Sequence, residues 1–350
     1  MFFKIITLYS LHTKRWSVKL ICLRYFLAFL MFISLTSLSA QDKSTSKVTW
    51  IGYAQLRFTT NFNDVNSFAM RRMKLWVKST PEFDSHWGYK IQTTITSNQN
   101  EKFMLQDVEA FYQTAHFKFN FGQFVPQYSL ERFQPDFTIP LTERAEVINA
   151  LIPNGTLGVR DIGVEGNYTS TTQKLQTWLG IFNGHGIKEY KFDNEGILLT
   201  NKTAVHLLNN HLVTGYSLMY RKADHLQLKF VLPDSVQFSG NDLRYNVFAQ
   251  FHSKKFVLQA EYLRAKLNDR IADGYYVLVT LNMTKNQIVA SWNKYNDLIE
   301  STDNSSMVHF GYDHLIDGDK LKIMVDNGAQ LSAGALRNYY STIQLQLFCN

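Results

Sequence analysis

The chain has 350 residues, 14% of them aromatic, with a formal charge of +7 and a pI near 9.1. That length can bury a core as one large or two ordinary domains, while two cysteines are too few for a disulfide framework. Only where the charges sit can say whether the basic balance means a nucleic-acid or acidic partner.

Residues 1–40 read as an export signal. Lys4, Lys14, Arg15, Lys19 and Arg24 form a basic lead without acids, and Phe26 to Leu38 is an apolar run ending in Ser37, Leu38, Ser39 and Ala40, with cleavage near Ala40 to Gln41. The apolar run is short of the roughly 20 residues of a membrane anchor helix. Cleavage removes five of the 36 cations, leaving 31 against 29 acids, so the mature chain is near neutral and no nucleic-acid partner is expected. Cys22 leaves with the signal, and Cys349 remains alone.

After a short polar lead over 41–48, the chain alternates at the strand period of two. In the first such stretch Trp50, Ala54, Leu56 and Phe58 oppose Ile51, Tyr53, Gln55 and Arg57. In the second, Arg71, Met73, Leu75 and Val77 oppose Phe68, Met70, Arg72, Lys74, Trp76 and Lys78. Three further two-faced strands follow at Tyr89 to Ile95, Asp107 to Gln113 and His116 to Phe121. The rhythm breaks from Pro126 to Arg160, which four prolines punctuate and in which Leu141 to Leu151 suits a short helix; a folded, functional loop is expected there. Alternation resumes over Ile162 to Tyr168 and Lys174 to Phe182, and a second long polar loop is read from Asn183 to about Thr203.

The later half repeats the scheme at Tyr216 to Tyr220, Leu226 to Leu232, Tyr245 to Phe251, Phe256 to Tyr262, Tyr275 to Met283, Gln287 to Tyr295, Met307 to Tyr312, Lys320 to Val325 and Tyr340 to Phe348. No second apolar run approaches helix-span length, so a membrane-spanning form of this chain must be a closed barrel. About 310 mature residues, at roughly 19 per strand and connection, suggest about 16 strands, and short and long connections tend to alternate. The fold class expected is all-β: one transmembrane antiparallel β-barrel domain over 49–350.

Turning the apolar alternates outward places Arg57, Arg72, Lys74, Lys78, Lys90, Lys118, Lys174, Lys229, Arg244, Lys320 and Lys322 inside, against Asp107, Glu109, Asp161, Glu165 and Glu261. A cationic lumen in a low-dielectric wall favours anions, and Arg57, Arg72 and Lys74 are the expected anchors of that path; a lumen merely kept wet by mixed charge is the bland alternative. The long loop adds Glu131, Arg132, Asp136, Glu143, Arg144, Glu146 and Arg160, whose mixed signs suit a transverse field at a constriction, salt bridges pinning the loop to the wall, or both; Arg132, Arg144 and Arg160 are the candidates for a narrow eyelet. Nucleophile-elbow, zinc, phosphate-loop and dinucleotide signatures are missing, so no enzyme activity, cofactor or metal is expected. His206 with His211 and His309 with His314 lack ligand spacing, and Asp313 to Asp319 reads as a polar turn sooner than a calcium loop.

An ordered set of short matches runs along the chain: Arg71, Arg72 and Leu75; Gln106, Asp107, Glu109, Ala110 and Tyr112; Gly122, Phe124, Pro126, Ser129 and Glu131. Arg160, Asp161, Ile162 and Gly163 follow, then Gly180, Phe182, Asn183, Gly184 and Gly186, Glu261 with Tyr262, and Gly274 with Tyr275 and Tyr276. In these the chain resembles the phosphate-selective porin O and P family of Gram-negative outer membranes. The resemblance implies a 16-stranded homotrimeric porin, a loop folded inward as a constriction, and passive diffusion of small hydrophilic solutes, anions such as phosphate first, past lumenal Arg and Lys. Its partners would be those solutes, outer-membrane lipid and the barrel-assembly machinery. A general, non-selective porin and a non-conducting surface β-protein that binds a ligand are the alternatives. Two departures from the family pattern stand out: no coiled-coil segment precedes the barrel, and Phe348 falls on the face of Gln344 and Gln346 instead of the apolar one.

Overall fold

The computed structural model describes residues 47–96, 102–153, 159–187, 196–228, 231–233, 235–298, 305–332 and 335–349. The export signal and Lys229 lie outside them. Sixteen strands run β1 Lys47–Thr60, β2 Asn66–Thr80, β3 Trp87–Thr96, β4 Lys102–Gln113, β5 Phe117–Phe124, β6 Asp161–Thr169, β7 Leu175–Phe182 and β8 Leu198–Leu207. They continue as β9 Leu212–Gln227, β10 Gln237–His252, β11 Phe256–Leu267, β12 Arg270–Asn282, β13 Asn286–Asn296, β14 Ser305–Asp317, β15 Leu321–Ser332 and β16 Ala335–Cys349. Each pairs antiparallel with its chain neighbours, and β16 returns to β1 through Leu56 opposite Leu345, so the barrel is closed and has no free edge.

The alternation sorts polar from apolar as a membrane requires. Leu179, Ile181, Phe310 and Ile343 point out and are exposed, whereas Gln55, Lys202, Asn246, Gln344 and Gln346 point in and are buried. Phe348 follows the glutamines inward and stacks on Tyr53, with ring centroids 5.5 Å apart.

Two bulges break the period of two where it matters most. Gln55 pairs with Arg72 but Leu56 with Met70, which leaves Arg71 as the extra residue of β2. Phe68 and Met70 therefore belong with the outward set, contrary to the strict alternation, and Arg71 turns inward beside Arg72, where both reach Glu143. In the same way Gln92 pairs with Asp107 and Thr93 with Leu105, so that Gln106 and Asp107 both face in.

The expected strand count holds through two errors that cancel. Leu226 to Leu232 is no separate strand: Leu226 lies in β9, which ends at Gln227, and 231–232 form a turn. Conversely, the expected loop from Asn183 to Thr203 contains the first half of β8. That strand hides because both faces are mixed, with Asn201 and Thr203 among the outward residues and Leu198 and Ala204 buried inside. Lys174 and Lys320, expected in the lumen, sit exposed in hairpin turns.

The 125–160 segment hydrogen-bonds to Arg57 of β1, Lys202 of β8, Glu261 of β11 and Asp326 of β15, all on inward faces from different sides of the ring. Over residues 125–153 it therefore runs through the barrel interior. Its helix α1, Glu146–Leu151, buries Val147, Ile148 and Leu151 in one apolar cluster with Leu263, Leu278 and Val289. Gly274 of β12 permits the close approach, since a Cβ there would lie 2.7 Å from Val147 Cγ2. Gly122 carries φ +116 just before the chain leaves the wall, and a Cβ there would lie 2.3 Å from the Val108 carbonyl oxygen. Gly122→Ala is expected to cost more than about 1 kcal/mol, read as a lower urea midpoint for the folded, heat-modifiable band.

Candidate pore constriction

The inward loop is held on one side by carboxylates it brings to the wall. Asp136 accepts from Arg72 Nη1 at 2.8 Å, from Arg144 Nη2 at 2.7 Å and from Lys74. Glu143 takes Arg71 through Nε at 2.5 Å and Nη2 at 2.9 Å, and Arg57 Nη1 at 2.9 Å. The fork geometry of arginine suits this bidentate grip, and the bulge at Arg71 supplies the second fork. Arg57, Arg72 and Lys74, the expected anchors of an anion path, are thus committed to loop carboxylates.

The opposite wall holds the loop through Glu261. Its carboxylate accepts the backbone N–H of Glu131 at 2.6 Å and of Leu130 at 3.0 Å, Ser129 Oγ at 3.2 Å, Asn246 Nδ2 at 2.8 Å and Tyr276 OH at 2.7 Å. A buried anion thereby satisfies the N–H groups at the start of the 3-10 turn Glu131–Phe133. Lys202 Nζ donates to the Ser129 carbonyl at 2.6 Å. Arg244 does not line open space: it is 1% exposed, pairs with Asp242 and donates to the Leu151 and Ile152 carbonyls at the end of α1. Arg144 reaches the Glu131 and Gln134 carbonyls, closing the loop on itself.

Helix α1 and the apolar cluster fill the β11–β13 side, and a cavity of about 400 Å³ lies on the β2–β6 side. Lys74, Lys78, Lys90, Lys118, Arg132, Arg144 and Arg160 line it, with Asp107, Glu109, Asp136 and Glu165. Asp107 is shared by Lys90 at 2.5 Å and Arg160 at 2.8 Å. Lys78, Lys118 and Arg132 make no ion pair among the described residues, and Arg132 Nε is buried without an acceptor. Lys118 lies over the Phe111 ring, and Lys78 stands directly opposite Lys90 in the sheet register. Like charges so placed oppose folding. Tyr53, Trp76 and Phe137 pack together at one edge of the cavity, fastening the loop to the β1, β2 and β16 seam with Phe348.

The sequence reading gathers Lys78, Lys90, Lys118, Arg132, Arg144 and Arg160, which do share this cavity, but it assigns Arg71 to the oily face and gives Asp136 and Glu143 no partners. No spacing along the chain pairs residue 136 with residue 72. Among the described residues no cluster of His, Cys, Asp or Glu could hold a metal ion.

The loop carboxyls respond to pH in opposite senses. Burial would raise Glu143, but the hydrogen bond and charge of Arg71, with Arg72 and Arg57, outweigh it and hold the group at about 2. Burial, reinforced by Glu261 and only partly offset by Arg144, pushes Glu131 up to about 7. Burial with Arg144 alongside brings Arg132 down to about 9, still cationic at neutral pH. A depressed acid stabilises the docked loop above its ordinary value of 4.5, and that contribution is lost as pH falls through about 2. A raised acid destabilises it as pH climbs from 4.5 through about 7. Hydrogen-exchange protection of residues 127–150 is therefore expected to peak near pH 4.5 and fall on both sides, with Glu131→Gln abolishing the fall on the alkaline side. Glu261→Ala leaves buried N–H groups without an acceptor, at about 1–3 kcal/mol each. Larger, noisier single-channel conductance from a barrel of unchanged heat-modifiability is the expected result.

Residues 44–196 match the family model of phosphate-selective porin O and P. No curated protein matches the chain. Among solved structures, the anion-selective porin from Comamonas acidovorans is similar at TM-score 0.65 and 9% identity, covering 87% of this chain and 99% of that one. OmpT of Vibrio cholerae in its trimer form gives TM-score 0.63 at 10% identity over 87% of this chain and 100% of that one. The channel DcaP of Acinetobacter baumannii gives 0.59 at 12% over 89% and 99%. At such identities the likeness is one of fold. The match over residues 44–196 bears out the resemblance to phosphate-selective porin O and P over that part of the chain, and the closed 16-stranded barrel is the fold of outer-membrane porins.

Proposed function

We propose that the pore passes small anions, phosphate among them, by passive diffusion biased by lumenal charge. The observation that supports this reading is the presence of Lys78, Lys118 and Arg132 on one cavity without ion pairs among the described residues. The other four lining cations, Lys74, Lys90, Arg144 and Arg160, are paired with Asp107 and Asp136, and the cavity's seven cations face only four carboxylates, so the excess charge is positive. Their field reaches about 8 Å at physiological salt, which is enough to span a narrow passage. Arg57, Arg71, Arg72 and Lys74 have a different task, keeping the loop in place. Four carboxylates on the same cavity favour the second reading, a general pore with a transverse field.

The mature chain, cleaved after residue 40, is proposed to assemble as a homotrimer, by analogy with the family and with the trimer form of Vibrio cholerae OmpT. Short turns then face the periplasm and long loops the exterior.

Planar-bilayer reversal potentials under a salt gradient test the assignment. Wild type is expected to show an anion-signed potential that shrinks several-fold or inverts in Lys78→Glu with Lys118→Glu, while Arg72→Glu with Lys74→Glu chiefly raises conductance by freeing the loop. A wild-type potential near zero that the first pair leaves unchanged establishes the general pore instead. A folded barrel without conductance points to the ligand-binding surface protein.

A further inference from the structure

The strands that begin at Lys47 and end at Cys349 define one rim of the barrel, where the connections are short. Its turns carry five exposed lysines: Lys174 between β6 and β7, Lys254 and Lys255 between β10 and β11, Lys285 between β12 and β13, and Lys320 between β14 and β15. Among the described residues the connections at the other rim contain no lysine; Lys188 and Lys191 of the β7–β8 connection and Lys229 of the β9–β10 connection lie outside the described residues. Glu82 and Asp84 belong to the β2–β3 connection, which has no lysine either, and in the β14–β15 turn Lys320 is flanked by Asp317 and by Asp319, the latter held by the inward Lys322 at 3.0 Å.

Backbone hydrogen bonds fix each lysine turn to the neighbouring strand. The carbonyls of Lys174, Lys255, Lys285 and Lys320 each accept a backbone N–H from the next strand, from His206 at 2.8 Å, Asn282 at 2.7 Å, Leu315 at 2.7 Å and Phe348 at 2.9 Å. Each turn also lies just beyond outward, exposed apolar side chains: Leu175, Phe256, Met283 and Ile323. A lysine fixed at the end of a lipid-facing apolar strand has its ammonium at headgroup depth, with its stem over the apolar edge.

We propose that this rim is a binding collar for anionic phospholipid headgroups of the adjoining leaflet, spread over the β6–β15 sector. The chemistry recognised is a phosphodiester carrying net negative charge, so a phosphatidylglycerol is retained and a zwitterionic phosphatidylcholine is not. The proposal is independent of which solute the lumen passes.

The test is native mass spectrometry of the detergent-solubilised porin with phosphatidylglycerol or phosphatidylcholine. Wild type is expected to retain phosphatidylglycerol at least ten-fold better. Replacing the five turn lysines with glutamine is expected to remove that preference, while Lys266→Gln with Arg270→Gln at the other rim leaves it within two-fold; heat-modifiable migration confirms that each variant is folded. Equal retention of the two lipids by wild type, or a preference that survives the five substitutions or is lost in the other-rim pair, overturns the collar.

Discussion

The docking of two loop carboxylates onto a cationic wall is the interaction on which the rest of the interior depends. Asp136 and Glu143 leave water when the 125–160 segment enters the barrel, and the guanidinium and ammonium groups of β1 and β2, with Arg144 of the loop itself, make that tolerable. The same contacts neutralise those cations. A row of basic residues that resembles an ion ladder when read strand by strand becomes, once the loop is in place, the far half of a set of ion pairs.

Fixing the loop on one side divides the lumen. Glu261, Lys202 and Asp326 hold the segment from other sides, and helix α1 then drives its apolar face against β11–β13, with Arg244 on its last carbonyls. The barrel thus contains a dry half, packed like the core of a soluble protein, and a wet half along β2–β6. The charge that remains available to a solute is confined to the wet half, where Lys78 and Lys90 face each other across the sheet at a cost to folding. Asp107 offsets Lys90 there, whereas Lys78 makes no ion pair among the described residues.

Much of the barrel was legible from the period of two alone. Inward Gln344, Gln346 and Phe348 keep the expected parity to the chain's end, and the break at Pro126 marks where the wall is left. Strand β8 escaped because a loop buried against its inner face lets Leu198 and Ala204 replace polar residues there, so neither face looks consistent. Leu226 to Leu232 misled for the converse reason, being apolar enough to resemble a strand although β9 ends at Gln227.

What the sequence by itself determined is the wall: alternation is a local property, written into adjacent residues by a membrane on one side and water or polar groups on the other. Which cations stay free was decided only by tertiary structure. Two bulges shift the facing of Arg71 and Gln106 by one residue, and a bulge depends on pairing with a strand whose register the chain does not announce. The partners of Arg72 and Lys74 lie 64 and 62 positions away on a loop whose path is set by the whole barrel. Charge is carried by single residues, but net charge at a constriction belongs to the groups that folding brings within a few ångströms of one another.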